Sequence, residues 1–147
     1  MTTDPDGDCV LVVRRLIPVP RDRVFAAWLD PISLAQWMCP GDVGSATAEV
    51  DARVGGRFRI VMNHGRGSDE HAGEYLTIDR PSLLVFTWIS KATNGLPTTV
   101  TVELLERDGG TELVLTHRRL PPEKIDDHRK GWTDIARKLD DVTSRRL

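Results

Sequence analysis

The side chains of this sequence best suited to acid–base or hydrogen-bonding chemistry are its histidines and one glutamate. His117 lies two residues after Leu115 in a predicted strand, so the two side chains share one face. An imidazole on the inner face of a sheet can orient a ligand carbonyl or hydroxyl, or act as a general base. The alternative is a histidine at a strand end, bonded to backbone or water. His128 falls on the apolar face of a predicted helix, where it can border the mouth of a pocket.

Glu74 is the carboxylate whose position decides most about the chemistry of the interior. It shares strand parity with Leu76 and Ile78. If that face points inward, the pKa of Glu74 rises in the apolar surroundings, which suits acid–base work or the anchoring of a polar ligand group. The opposite register buries Tyr75 and leaves Glu74 in water. Both registers fit the sequence, and Glu74 and Leu76 are retained as expected pocket residues.

A polar segment over residues 63–70 offers a weaker candidate site. His64 and His71 flank Asp69 and Glu70, so a metal site is conceivable, but the spacing matches no closed ligand set. The segment carries two glycines and is predicted to be a mobile loop that could act as a lid. No nucleophile motif accompanies it. The sequence therefore predicts no catalytic residue, no metal and no cofactor, and leans against an enzyme.

Composition excludes several classes of protein. The chain has 147 residues, with 20 basic and 22 acidic side chains and a net charge of −2, so no overall field attracts nucleic acid or anionic lipid. Cys9 and Cys39 lie far apart and predict reduced thiols rather than a disulfide or zinc site. No apolar segment has the length or flanks of a signal peptide or membrane span. We expect one cytoplasmic domain over residues 9–147, without membrane insertion, after a disordered lead over residues 1–8.

The elements that must position these residues follow from periodicity. A strand is predicted over residues 9–17, a helix after Pro20, and a second short helix at Asp30-Pro31. Strict alternation then predicts six strands between residues 46 and 117. The last element is a long helix over residues 121–146. Its apolar face repeats at helical spacing through Ile125, Trp132, Ile135, Leu139 and Val142.

The order β-α-α-β6-α predicts an α+β fold. Consecutive strands joined by short turns form an antiparallel meander, and one amphipathic helix can bury its apolar face only by lying across the concave side of that sheet. Gly131 in the middle of the helix is expected to cost about 1 kcal/mol relative to alanine. Its presence indicates a tolerated weak point, a close backbone approach, or room for a ligand.

Several segments together resemble the START-like (SRPBCC) superfamily. Within it, they are similar to the branch named for the activator of the 90-kDa heat-shock protein ATPase. The resemblance covers nearly the whole chain, from about Val10 to Leu139. It rests on the pattern from Pro20 through Val24-Phe25, Trp28, Asp30-Pro31 and Leu34 to Trp37, on Val54-Gly55-Gly56-Arg57-Phe58, on Leu84-Val85-Phe86-Thr87-Trp88, on the strand from Gly110-Thr111 to Thr116-His117, and on Gly131-Trp132 followed by Leu139.

This resemblance implies a helix-grip fold, in which a curved sheet wraps around the long C-terminal helix and encloses a cavity. Relatives bind lipids, sterols, polyketides or other hydrophobic compounds, and some are cyclases or hydrolases. Eukaryotic activators carry an additional N-terminal domain that engages the chaperone, whereas this sequence begins directly with the START-like part. We therefore expect binding of a small hydrophobic molecule. The alternatives are a cyclase or hydrolase that uses the same cavity, and a module with a chaperone partner.

The inward positions of the predicted elements give the expected ligand-binding residues. The same residues could instead form a dry core, which every domain of this size needs. The sequence makes no prediction of ligand identity or oligomeric state. The expected binding residues are Trp37, Phe58, Ile60, Met62, Glu74, Leu76, Val102, Leu115, His117, His128, Trp132 and Ile135.

Overall fold

Alternation of apolar and polar residues recurs along the chain, and strands are the largest class of element among the described residues. A computed structural model describes residues 2–3 and 9–145, with side chains described over residues 10–145. Two short 3-10 helices lie in the second half of the chain, at Lys91–Thr93 and Pro122–Lys124. The strands are β1 (Thr2–Thr3), β2 (Cys9–Ile17), β3 (Ser45–Val50), β4 (Arg57–His64), β5 (Gly67–Asp79), β6 (Leu83–Trp88), β7 (Thr98–Arg107) and β8 (Gly110–Leu120), and the helices are α1 (Arg21–Leu29), α2 (Pro31–Trp37) and α3 (Ile125–Ser144).

Within the described residues, the strands form one antiparallel sheet in the order β1-β2-β8-β7-β6-β5-β4-β3. The predicted meander from β3 to β8 is confirmed, and β2 pairs with β8 at the far side. Residues 1–8 were predicted to be disordered. The structure differs from this prediction at two positions, because Thr2 pairs with Val10 and Thr3 pairs with Cys9. The rest of that prediction, at residues 1 and 4–8, lies outside the described residues.

The polar segment over residues 63–70 is not a long loop. Asn63 pairs with Ser68 and His64 with Gly67, so β4 and β5 continue to a tight turn at Gly65-Arg66. The prediction of a loop over this segment is therefore wrong. The segment lacks an apolar alternation because this hairpin extends beyond the core, where both faces of a strand can be polar.

The register of β5 decides the position of Glu74. Tyr75 is buried and points inward, whereas Leu76 is 44% exposed and Glu74 is half-buried on the outer side. The backbone N–H of Glu74 donates to Thr87 Oγ1 at 2.9 Å. The prediction that Leu76 and Glu74 line the interior is therefore wrong. Ile78 packs against the core although it shares parity with Leu76, since the pairing with β6 shifts between Tyr75 and Thr77.

Helix α3 lies across the concave face of the sheet, as predicted. Its apolar face is buried throughout, and the indoles of Trp132 and Trp88 approach to 5.1 Å between ring centroids. Arg15 of β2 donates to Asp140 at 3.0 Å and holds the C-terminal half of the helix to the sheet. At the other end of the fold, Asp30 caps α2 by accepting from the Ile32 N–H at 3.0 Å. The predicted helix-grip arrangement is confirmed.

Candidate functional site

A small apolar pocket opens between the first half of α3 and the ends of strands β4 to β6. We call it the throat. Its volume is about 140 Å³. Met62, Trp88, Trp132 and Ile135 are the large apolar side chains of its wall. The complete lining is Pro40, Met62, His71, Trp88, Ala92, Asp127, His128, Gly131, Trp132 and Ile135.

The position of the throat follows from the periodicity of two kinds of element. Met62 occupies the inward parity of β4, and Trp88 ends β6 on the inward parity of that strand. His128, Trp132 and Ile135 are spaced by four and three residues along α3, so they lie one above another on the same face of the helix. Gly131 adds no side chain, and an added Cβ would meet only Pro40 Cβ, at 3.9 Å. The glycine therefore leaves room at the mouth of the throat.

The interior beyond the throat is filled by side chains. Trp28 and Trp37 pack edge to face with centroids 4.7 Å apart, and Phe58 and Phe86 do so at 5.4 Å. The void beside them is about 10 Å³, which is no larger than a single water molecule. A continuous cavity under the helix, as the resemblance implied, is therefore not observed. The predicted inward residues Trp37, Phe58, Ile60, Val102 and Leu115 are buried, and they are core residues.

His117 is a fully buried member of a directed hydrogen-bond chain. Trp132 Nε1–H donates to His117 Nδ1 at 3.0 Å, so the proton of the neutral imidazole resides on Nε2, which donates to Thr98 Oγ1 at 2.7 Å. The Thr98 hydroxyl then donates to the Trp88 carbonyl at 2.6 Å. Burial lowers the pKa of His117 to about 3. With both nitrogens engaged, His117 positions Trp132 and does not face the throat.

His71 and His128 are the imidazoles that do line the throat. His128 Nδ1–H donates to the Lys124 carbonyl at 2.8 Å, one helical turn back. The ring of His71 lies 4.9 Å from that of Trp88, and its Nδ1 is buried without a hydrogen-bond partner in the described part of the chain. Burial lowers the pKa of both imidazoles. Both are therefore neutral at neutral pH.

The throat opens outward into a polar groove, which we call the vestibule. Charges of both signs line it, so it imposes no single charge on a ligand. His64 is held there, with Nε2 3.1 Å from Asp69 Oδ2. Over residues 10–145, no three His, Cys, Asp or Glu side chains are grouped to hold a metal ion. The residues that line the vestibule but not the throat include His64, Arg66, Asp69, Lys91, Lys124, Lys130 and Asp134.

Five throat residues were not expected to bind a ligand from the sequence: Pro40, His71, Trp88, Ala92 and Asp127. The signal for His71 was the register of β5, since Tyr75 is inward and every second residue before it shares that face. Trp88 is the last residue of a strand that is apolar on both faces, so the sequence did not predict which way its side chain points. Asp127 is exposed at the rim, where the sequence gives no signal. No helix in the described part of the chain is long and apolar enough to cross a membrane.

Several solved structures share the fold of this chain. A protein from Chromobacterium violaceum superposes with a TM-score of 0.82 at 22% identity, covering 91% of this chain and 96% of that one. An AHSA1-like protein from Aeromonas hydrophila gives a TM-score of 0.76 at 21% identity, covering 93% of each chain. An HSP90 activator from Plasmodium falciparum gives 0.73 at 26% identity, covering 92% and 96%.

A search of curated protein sequences finds no match. The family model for Activator of Hsp90 ATPase homolog 1-like proteins matches residues 18–144. That range includes both short helices, the meander and α3, which are the elements that carried the resemblance in the sequence. The chain therefore belongs to the Activator of Hsp90 ATPase homolog 1-like family.

Proposed function

We propose that this protein binds a small, mostly apolar molecule whose ring enters the throat. The observation that carries the proposal is the throat itself, an apolar recess walled by two indoles, a methionine and an isoleucine. A buried cavity of about 150 Å³ accommodates one benzene ring. The throat, at about 140 Å³, has the size for one ring, and the rest of a larger ligand would extend into the vestibule.

The expected affinity follows from the area that such a ring removes from water. A ring that buries roughly 150 Å² gains about 4 kcal/mol at 25 cal/mol per Å². This corresponds to a Kd of about 1 mM. A bare ring should therefore bind weakly but measurably, and tighter binding requires contacts at the rim and in the vestibule.

Toluene is a suitable probe for the throat. Saturation-transfer NMR should show saturable binding near 1 mM, and toluene should raise the midpoint of thermal unfolding. Met62→Trp places a larger side chain in the throat and should abolish binding in a folded protein. Leu76→Trp is the matched control, because it introduces the same ring at an exposed position. Equal toluene binding by both variants, or no saturable binding by the wild type, would refute the proposal.

Family membership favours a second candidate, interaction with a 90-kDa heat-shock chaperone. The similarity to the Plasmodium falciparum HSP90 activator supports it, and both candidates agree with the predicted cytoplasmic location. Two of the exposed large apolar side chains, Val54 and Leu76, lie close together, because Gly55 pairs with Tyr75. The exposed large apolar side chains of the described residues are Leu16, Ile32, Val54, Leu76 and Leu96. The ATPase rate of a purified chaperone, measured with and without this protein, tests the candidate. An unchanged rate together with no complex in size-exclusion chromatography would exclude it.

A further inference from the structure

We infer that the ligand of the throat carries a hydroxyl group, which donates its proton to His128 Nε2. The inference rests on the proposed function and adds the chemical class of the ligand: a neutral ring compound with a hydroxyl, such as a phenol or a cyclic alcohol. Two observations carry it, the fixed tautomer of His128 and the apolar character of most of the throat around it.

The tautomer of His128 is set by the backbone of α3. Its Nδ1 lies 2.8 Å from the Lys124 carbonyl oxygen, which can only accept, so Nδ1 carries the proton. In the neutral ring, Nε2 then has a lone pair and no hydrogen. The opposite tautomer would turn a hydrogen bond into a contact between two acceptors. Because His128 lines the throat, a ligand meets an acceptor there.

His71 lies in the same wall but adds no hydrogen bond to the ligand. The residue is only 9% exposed, and its Nδ1 is closed to solvent, so a ligand in the open throat does not reach that atom. A hydroxyl suits the His128 imidazole, because it can donate its proton to the lone pair of Nε2. A carbonyl oxygen only accepts and would leave His128 Nε2 unpaired.

Charge around the throat agrees with a neutral ligand. Burial lowers the pKa of both His71 and His128, so neither imidazole offers a cation to an anionic ligand. At the rim, Asp127 is accompanied by Lys124 and Lys130, so the rim selects neither charge, and a neutral hydroxyl needs neither.

Three single-ring probes separate the contributions: phenol, which donates; benzaldehyde, which only accepts; and toluene, which does neither. The affinity ratio of phenol to toluene is measured by ligand-observed NMR in the wild type and in His128→Phe. Loss of one buried hydrogen bond should lower that ratio about tenfold in the variant, with toluene affinity nearly unchanged. Benzaldehyde should show no comparable dependence on His128. Arg129→Ala, an exposed neighbour on α3 that lies outside the throat lining, should keep the wild-type ratio.

A second measurement keeps the inference testable if His128→Phe fails to fold. Imidazole ¹⁵N spectra of the wild type should show His128 as the Nδ1–H tautomer, and phenol should move its Nε2 resonance in the direction of hydrogen-bond acceptance, while toluene should not. A His128 proton on Nε2, or a phenol-to-toluene ratio that is equal in wild type and variant, overturns the inference and leaves toluene binding intact. Failure of all three probes to bind refutes the proposed function as well.

Discussion

Thr98→Val tests the hydrogen-bond chain behind the throat. The substitution keeps the shape of a fully buried side chain and removes its hydroxyl. His117 Nε2–H, now 2.7 Å from Thr98 Oγ1, would then be a buried donor without an acceptor, and the 2.6 Å bond to the Trp88 carbonyl would be lost. An unpaired buried donor costs about 1–3 kcal/mol and a lost bond about 1 kcal/mol. We expect the free energy of unfolding to fall by roughly 2–4 kcal/mol.

Urea denaturation followed by tryptophan fluorescence measures this change. Thr101→Val is the matched control: Thr101 lies on the same strand, is half-buried, and pairs with Val85 and Thr116 across the sheet. A valine there should change the free energy of unfolding by less than about 0.5 kcal/mol. Equal losses in the two variants would show that the chain from Trp132 through His117 to Thr98 contributes nothing to stability, and the assignment of His117 as a positioning residue would be wrong.

Three further outcomes follow from the structure. Burial lowers the pKa of His117 from 6.5 to about 3, so the unfolded chain binds a proton that the folded chain excludes; stability present above pH 6.5 is lost as the pH falls toward 3. Between these pH values, the proton of His117 should change the free energy of unfolding by about 1.4 kcal/mol per pH unit. His117→Gln should remove this part of the pH dependence, which urea denaturation at a series of pH values measures. Gly131→Ala, whose methyl meets only Pro40, should stabilise α3 by up to about 1 kcal/mol in urea and weaken toluene binding in NMR. In chemical denaturation, Leu115→Ala should cost about 2–5 kcal/mol, whereas exposed Leu76→Ser should cost less than about 0.5 kcal/mol.

The sequence predicted most of the fold because most elements have one clearly apolar face. In β4 and β7, every second residue over the central positions is buried and the residues between are half-buried or exposed, and α3 repeats its apolar residues at helical spacing. Strand β5 has no such signal. Its inward residue Gly73 has no side chain, and a Cβ there would collide with the Phe58 ring at 2.7 Å and with the Thr87 carbonyl oxygen. A face that includes a glycine and a histidine does not look apolar in the sequence.

The site was harder to predict than the fold, since it depends on how completely side chains fill a space. Of the expected binding residues, the structure brings Met62, His128, Trp132 and Ile135 together in the throat, but the sequence cannot show that aromatic rings close the interior behind them. The irregular pairing after Tyr75 also changes which residues of β5 face the core. Such a shift is set by the neighbouring strands and leaves no periodic trace in the sequence.

The four tryptophans of the chain form one group in the core. Trp37 contacts Trp28, which lies 6.5 Å from Trp132, and Trp132 is 5.1 Å from Trp88. At such separations, excited-state energy passes among the indoles before emission, so the protein emits as a single coupled chromophore. Two of its four rings form the wall of the throat. A ligand that contacts these two rings should therefore change the fluorescence of all four tryptophans. Intrinsic fluorescence can then report ligand binding without an attached dye.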